Sequence, residues 1–177
     1  HSPKLDAAGK IVVPGFVDCH THLVFGGSRV EEYSAKLTIS DSQELKRRGI
    51  KTGIMVTVEQ TRNSSKEELF NQAACRLEDM LLHGATTVES KSGYGLSLES
   101  EIKMLEINRE LGKNFPVDIV STFLGAHGWP EDVPKNRYME ILTKEMIPAV
   151  AEKDLASFCD IWCDDGHYSA EESEQIL

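Results

Sequence analysis

The chain has 177 residues with a net charge of −10, 40% hydrophobic and 27% charged side chains. A chain of this length buries roughly 70% of its unfolded surface, enough for a core of its own. The acidic balance excludes nucleic acid and anionic membranes as main partners, because both need a basic face, and no apolar run reaches the roughly 20 residues of a membrane span.

Ile11-Val12-Val13 and Phe16-Val17 are rich in β-branched and aromatic residues and predict a buried strand running into His20-Thr21-His22. Side chains alternate along a strand, so His20 and His22 share a face and Cys19 points the other way. Two imidazoles on one face are how a strand delivers ligands to zinc or iron. Gly26-Gly27 then free the backbone for a loop, and a long connection with one or two short helices follows. Ser65-x-x-Glu68 is a capping box, opening a helix to about His83 with Leu69, Phe70, Ala73, Ala74, Leu77, Met80 and Leu81 on one face. Gly84 ends it, and Thr86 to Glu89 predict the second strand.

Ser97 opens the next helix, with Leu98, Ile102, Leu105 and Leu111 inward and Gly112 as its stop. Val117 to Leu124 predict a third strand, and 136–150 a helix disturbed near Pro148. Phe158 to Cys163 predict a fourth strand, and a last helix begins near Ser169. Strand and helix in alternation mean parallel βαβ units, closed into a barrel or opened into a doubly wound sheet. A (β/α)₈ barrel takes about 250 residues and eight strands. The expectation is therefore an α/β fold forming the first half of a barrel over residues 11–177. Residues 1–10 read as the end of a small N-terminal β-domain or a cloning remnant, His1 included. Cys19, Cys75, Cys159 and Cys163 contain no C-x-x-C pair and are expected to be buried free thiols in a reducing cytoplasm.

In parallel barrels the functional groups lie at the carboxyl ends of the strands. Those ends carry His20 and His22, then Lys91-Ser92-Gly93-Tyr94-Gly95, then His127, then Asp164, Asp165 and His167. Each has a plainer alternative. Arg29 reads equally as a solvated loop arginine, Tyr94 as a packed loop aromatic and His127 as a structural histidine. Ser92-Gly93-Tyr94-Gly95 lacks the Walker spacing and its lysine. His83, at a helix end, reads as surface.

Val13-Pro14-Gly15-Phe16-Val17-Asp18 before His20-Thr21-His22 resembles the first barrel strand of the amidohydrolase superfamily. The blocks His20 to Arg29, Glu89 to Leu96 and Thr122 to His127 are similar, in order and spacing, to the imidazolonepropionase family. That resemblance implies a metal-dependent hydrolase (β/α)₈ barrel, usually a homodimer, with one zinc or iron ion per subunit. It implies opening of the ring of a small-molecule substrate, 4-imidazolone-5-propanoate, to N-formimidoyl-L-glutamate in histidine breakdown. By the same motifs, His20 and His22 would be metal ligands, Arg29 would hold the substrate carboxylate and Tyr94 would bond the substrate through its hydroxyl. His127 would be catalytic, contacting substrate near the metal and stabilising charge on the attacked carbonyl oxygen.

Lys91 resembles the carboxylated lysine of two-metal amidohydrolases, but the family uses one metal, so Lys91 is read as supporting structure. His167 stands where the family has an apolar residue and takes no role. The family's His-x-x-Glu motif and later aspartate have no match, leaving two histidines where a catalytic zinc has three protein ligands. The isolated chain is therefore expected to bind metal weakly and not to turn over. Lys51-Thr52-Gly53-Ile54 departs from the family's glycine run. The rival readings are another amidohydrolase acting on heterocyclic amines, which would lack Gly-Gly-Ser-Arg and Lys-Ser-Gly-Tyr-Gly, and a non-catalytic half-barrel module that associates through unpaired strand edges.

Overall fold

The computed structural model describes residues 2–177, so the reading of His1 lies outside the described residues. Four strands, β1 (Phe16–Thr21), β2 (Ala85–Lys91), β3 (Asp118–Ala126) and β4 (Phe158–Ile161), form one parallel sheet in the order β1-β2-β3-β4. With the helices between them, they make the expected half-barrel. The connection after β1 holds three helices, α1 (Val30–Lys36), α2 (Ser42–Arg47) and α3 (Ile54–Asn63), rather than one or two.

The long helix α4 (Lys66–Leu82) starts where its capping box predicts. Glu68 N–H donates to Ser65 Oγ at 3.1 Å, and Ser65 N–H donates to the Glu68 carboxylate at 2.8 Å. Leu69, Ala73 and Leu77 are fully buried against Val88 and the helix α5 (Leu98–Asn114), which contributes Met104 and Leu111. Ser65→Ala removes one half of the box and is expected to cost about 1 kcal/mol, read as a lower urea midpoint with an unchanged slope.

Several boundaries move for local reasons. Gly112 does not stop α5; Phe115 does, because Pro116 forces it into the extended region at φ −121° and ψ 147°. Pro148 does disturb its helix, but the effect falls one turn earlier. The segment divides into α6 (Lys135–Ile141), a π-helical turn at Leu142–Met146 and α7 (Ile147–Glu152). A proline ring clashes with the carbonyl four residues back, and widening the turn before Pro148 relieves that clash. The polar Ser90 and Lys91 extend β2 past Glu89 because both find polar partners: Ser90 Oγ donates to the buried Asn108 Oδ1 at 2.7 Å, and Lys91 Nζ donates to carboxylates.

The first strand is not buried. Ile11, Val12 and Val13 lie outside it and are exposed, as are Phe16 and Val17. Pro14 has no N–H to offer a ladder, and β1 is paired on one side only, with β2. The cysteines are free, as expected, but all four are exposed rather than buried. Cys19 and Cys159 sit on the two edge strands. A second core cluster packs Tyr138, Leu142 and Met146 beneath Phe123 and Ala126 of β3, with the Tyr138 hydroxyl donating to Gly125 O at 2.9 Å. Tyr94 touches both clusters, so the loop after β2 is seated where they meet.

Candidate active site

The strand ends bring three of the predicted rings together. His22, just past β1, stacks on His127 at a centroid distance of 4.6 Å and 21°, and Tyr94 lies 4.6 Å from His22 and 5.0 Å from His127, so the three rings form a triangle. His127 Nδ1 faces Gly93 O at 3.1 Å. A carbonyl only accepts, so Nδ1 carries the hydrogen, and the Nε2 of the neutral ring is an acceptor. Burial is also the main influence that lowers the pKa of His127.

His22 is held more firmly in its neutral form. Burial, followed by the nearby His127, His20 and Lys91, lowers its pKa to about 3. The Ser92 backbone opposes this shift, yet no hydrogen bond of good geometry reaches the buried His22 Nδ1. A neutral imidazole with an unsatisfied buried nitrogen is the chemistry of a metal ligand. His20 is exposed and faces the same cleft of about 450 Å³, which Asp160 and Trp162 also line. Among the described residues no three His, Cys, Asp or Glu side chains gather as a metal set. The pair fits two positions of a coordination shell and leaves the others to be supplied.

Arg29 lies on the other side of the same wall. A second hollow of about 360 Å³ is lined by Arg29, Arg76, Phe25 and Ser28, and it shares His22 and Tyr94 with the first. The two hollows therefore adjoin across His22 and Tyr94, one lined by imidazoles and the other by a guanidinium. Arg29 makes only a loose 3.7 Å contact with Glu32, whose carboxylate is taken up at shorter range by Lys36 and by Gly53 N–H. Burial alone would raise Glu32, but Lys36, Gly53 and Arg29 together hold it below the usual carboxylate range.

Lys91, read as supporting structure, builds the floor together with residues given no role in the sequence. Lys91 Nζ donates to Glu89 Oε1 and to Asp160 Oδ2, each at 2.8 Å, and Thr122 Oγ1 donates to Glu89 Oε1 at 2.7 Å. Burial opposes the charge on Lys91, yet the two carboxylates raise its pKa. Forming a carbamate needs a neutral amine, so this ammonium suits the supporting role. Glu89-x-Lys91 on a strand places both side chains on one face, a signal that was available in the sequence. Arg76 was not visible in that way. It stacks on Phe25 at 3.6 Å and donates to Leu23 O and Phe25 O, both at 3.0 Å, fixing the loop that leads to Arg29. Asp164 and Asp165, expected at the fourth strand end, lie in an exposed turn away from the imidazole cleft. His167 stacks on Trp162 at 3.6 Å, and His83 is exposed.

No family model matches the chain. Individual proteins do. The imidazolonepropionase of Treponema denticola is 49% identical over 175 residues, covering 98% of this chain and 42% of that protein. The chain is a relative of the imidazolonepropionases. The enzyme of that name from Brevibacillus brevis is 46% identical over 98% of the chain and 41% of its own length, and that from Clostridium tetani 44% over 100% and 42%. The chain thus spans about two fifths of the length of the curated imidazolonepropionases it matches. Among its described residues no helix is long and apolar enough to cross a membrane.

Proposed function

We propose that the protein carrying this chain is a metal-dependent hydrolase that opens 4-imidazolone-5-propanoate to N-formimidoyl-L-glutamate in histidine breakdown. The adjoining hollows, one lined by imidazoles and one by a guanidinium, carry the reading. They match a substrate with a reactive ring carbonyl at one end and a carboxylate at the other. Identity of 44–49% to imidazolonepropionases supports the same substrate.

His20 and His22 would hold one zinc or iron ion, which when bound lowers the pKa of a coordinated water towards ~7. Arg29 grips the propanoate oxygens through its planar fork, a geometry lysine cannot offer. Tyr94 lines both hollows and presents its hydroxyl to the substrate. His127 donates from Nδ1 to Gly93 and keeps Nε2 as an acceptor, suited to a ring N–H of the substrate. Its role as a donor to the attacked oxygen would require the protonated ring, which burial disfavours. A homodimer and a cytoplasmic setting complete the reading, the latter supported by four unpaired cysteines.

The test is turnover by the whole protein carrying this chain, followed as loss of the substrate's ultraviolet absorbance, with elemental analysis of the same sample. The expected result is one metal per subunit and ring opening, with His22→Ala losing both. Bound metal without turnover of this substrate would point to another amidohydrolase. A defined dimer with neither metal nor turnover would favour the association module, for which the exposed Phe16 and Val17 of β1 are the supporting observation.

A further inference from the structure

Glu101, in the first turns of α5, is wholly buried, and backbone amides surround its carboxylate. Oε1 accepts from Gly95 N at 2.7 Å and from Leu96 N at 2.8 Å, while Oε2 accepts from Gly93 N at 2.9 Å. These three amides flank Tyr94 on both sides. Arg62 of α3 takes the carbonyls of the same turn, donating from Nε to Gly95 O at 2.6 Å and from a terminal nitrogen to Leu96 O at 2.7 Å. The turn is pressed tightly onto its supports. A Cβ at Gly95 would meet Glu101 N at 2.7 Å, and one at Gly93, where φ is +112°, would meet Leu124 O at 2.7 Å. Gly93 in turn supplies the carbonyl that orients His127.

We propose that Glu101 is a positioning residue for the substrate, one buried carboxylate that fixes the Gly93–Leu96 turn and so sets both Tyr94 and His127 beside His22. The proposal rests on the ring-opening reading for its kinetic consequence, but not for its structural one. An ionised carboxylate is acceptor-only, which suits three N–H donors. Burial pushes its pKa up on balance, although Ser92 and the three amides pull it down. Glutamine has the same shape but turns an NH₂ group towards an N–H donor, so at least one amide loses its partner. Misplacing a binding group by about 1 Å can cost roughly 10²-fold in rate.

The test is Glu101→Gln, with Tyr94→Phe and the double variant, in the protein carrying this chain. Glu101→Gln is expected to raise KM by about tenfold or more, whereas loss of folded protein alone would lower apparent kcat and leave KM unchanged. The double variant should bind substrate no worse than Glu101→Gln alone, since both changes remove the same contact. An activity-independent readout is ¹⁹F NMR of protein labelled with 3-fluorotyrosine. The Tyr94 resonance, assigned through Tyr94→Phe, should shift in Glu101→Gln, while that of the exposed Tyr33 should not. Glu101→Asp keeps the charge and serves if the glutamine variant does not fold; it should shift the same resonance less. A folded variant with an unmoved Tyr94 resonance and an unchanged KM would overturn the proposal. A shifted resonance in a protein whose wild type never opens the ring would sink the ring-opening reading and leave the positioning of Tyr94 standing.

Discussion

Arg29→Ala is expected to raise KM for 4-imidazolone-5-propanoate by about 10²-fold while changing kcat little. A hydrogen bond to a charged group contributes about 1.5–3 kcal/mol, and a fork that makes two would exceed that in a dry site. Arg29 is about one-third exposed and keeps some contact with Glu32, so solvent and that carboxylate reduce the gain. A net loss of about 3 kcal/mol corresponds to roughly 10²-fold, since each 1.4 kcal/mol is tenfold. The carboxylate tail is remote from the ring carbonyl and is held alike in ground and transition states, so the loss appears in KM. Arg29→Lys should recover only a small part, because a point charge cannot meet both oxygens. Steady-state kinetics checks this against an analogue without the carboxylate. That analogue should bind the two proteins equally, and an unchanged KM for 4-imidazolone-5-propanoate would remove Arg29 from the site.

The sequence was most legible where a signal is local. Ser65-x-x-Glu68 and Ser169 both cap the helices they announce, and the spacing of His20 and His22 puts both in one cleft. Strand and helix alternation gave the half-barrel, because a buried parallel strand and an amphipathic helix have different periods. Burial of β1 was misjudged because composition reports what a strand can pack against, not which of its edges is paired. The supporting charges were hidden for another reason. Arg76 reaches Leu23 across 53 residues and Lys91 reaches Asp160 across 69, contacts created by the approach of elements that no window on the chain contains. The loops carrying Arg29 and Tyr94 could be recognised by motif and the helices behind them by their caps, whereas the Arg76 and Glu101 side chains that hold those loops could not.

The Lys91 cluster gives the largest expected effect on stability. Its ammonium is buried, Glu89 is mostly buried and Asp160 is 43% exposed. Replacing Lys91 with methionine keeps the length of the side chain and strands Glu89 beside a buried wall. The cost expected at neutral pH is about 3 kcal/mol, the low end for a broken buried pair because Asp160 can turn to solvent. Burial would raise the pKa of Glu89 and Asp160, but Lys91, helped by Thr122 at Glu89 and by the Ile161 amide at Asp160, outweighs it and both lie below their ordinary values of 4.5 and 3.8. Groups shifted downward contribute stability that is complete above the ordinary carboxylate range and is lost as pH falls through the lowered values. Lys91, shifted upward despite burial, contributes below its ordinary value of 10.5 and loses that only as pH rises beyond it. The wild type should therefore weaken on acidification below about pH 4. Lys91→Met should weaken less, because its unpaired carboxylates gain by protonation, and the gap between the two proteins should narrow from about pH 7 to about pH 3.5. Urea unfolding at the two pH values measures that gap, and Glu89→Gln added to Lys91→Met should recover part of the neutral-pH loss. A gap that is the same at both pH values would mean that the lysine acts there by packing and not by charge.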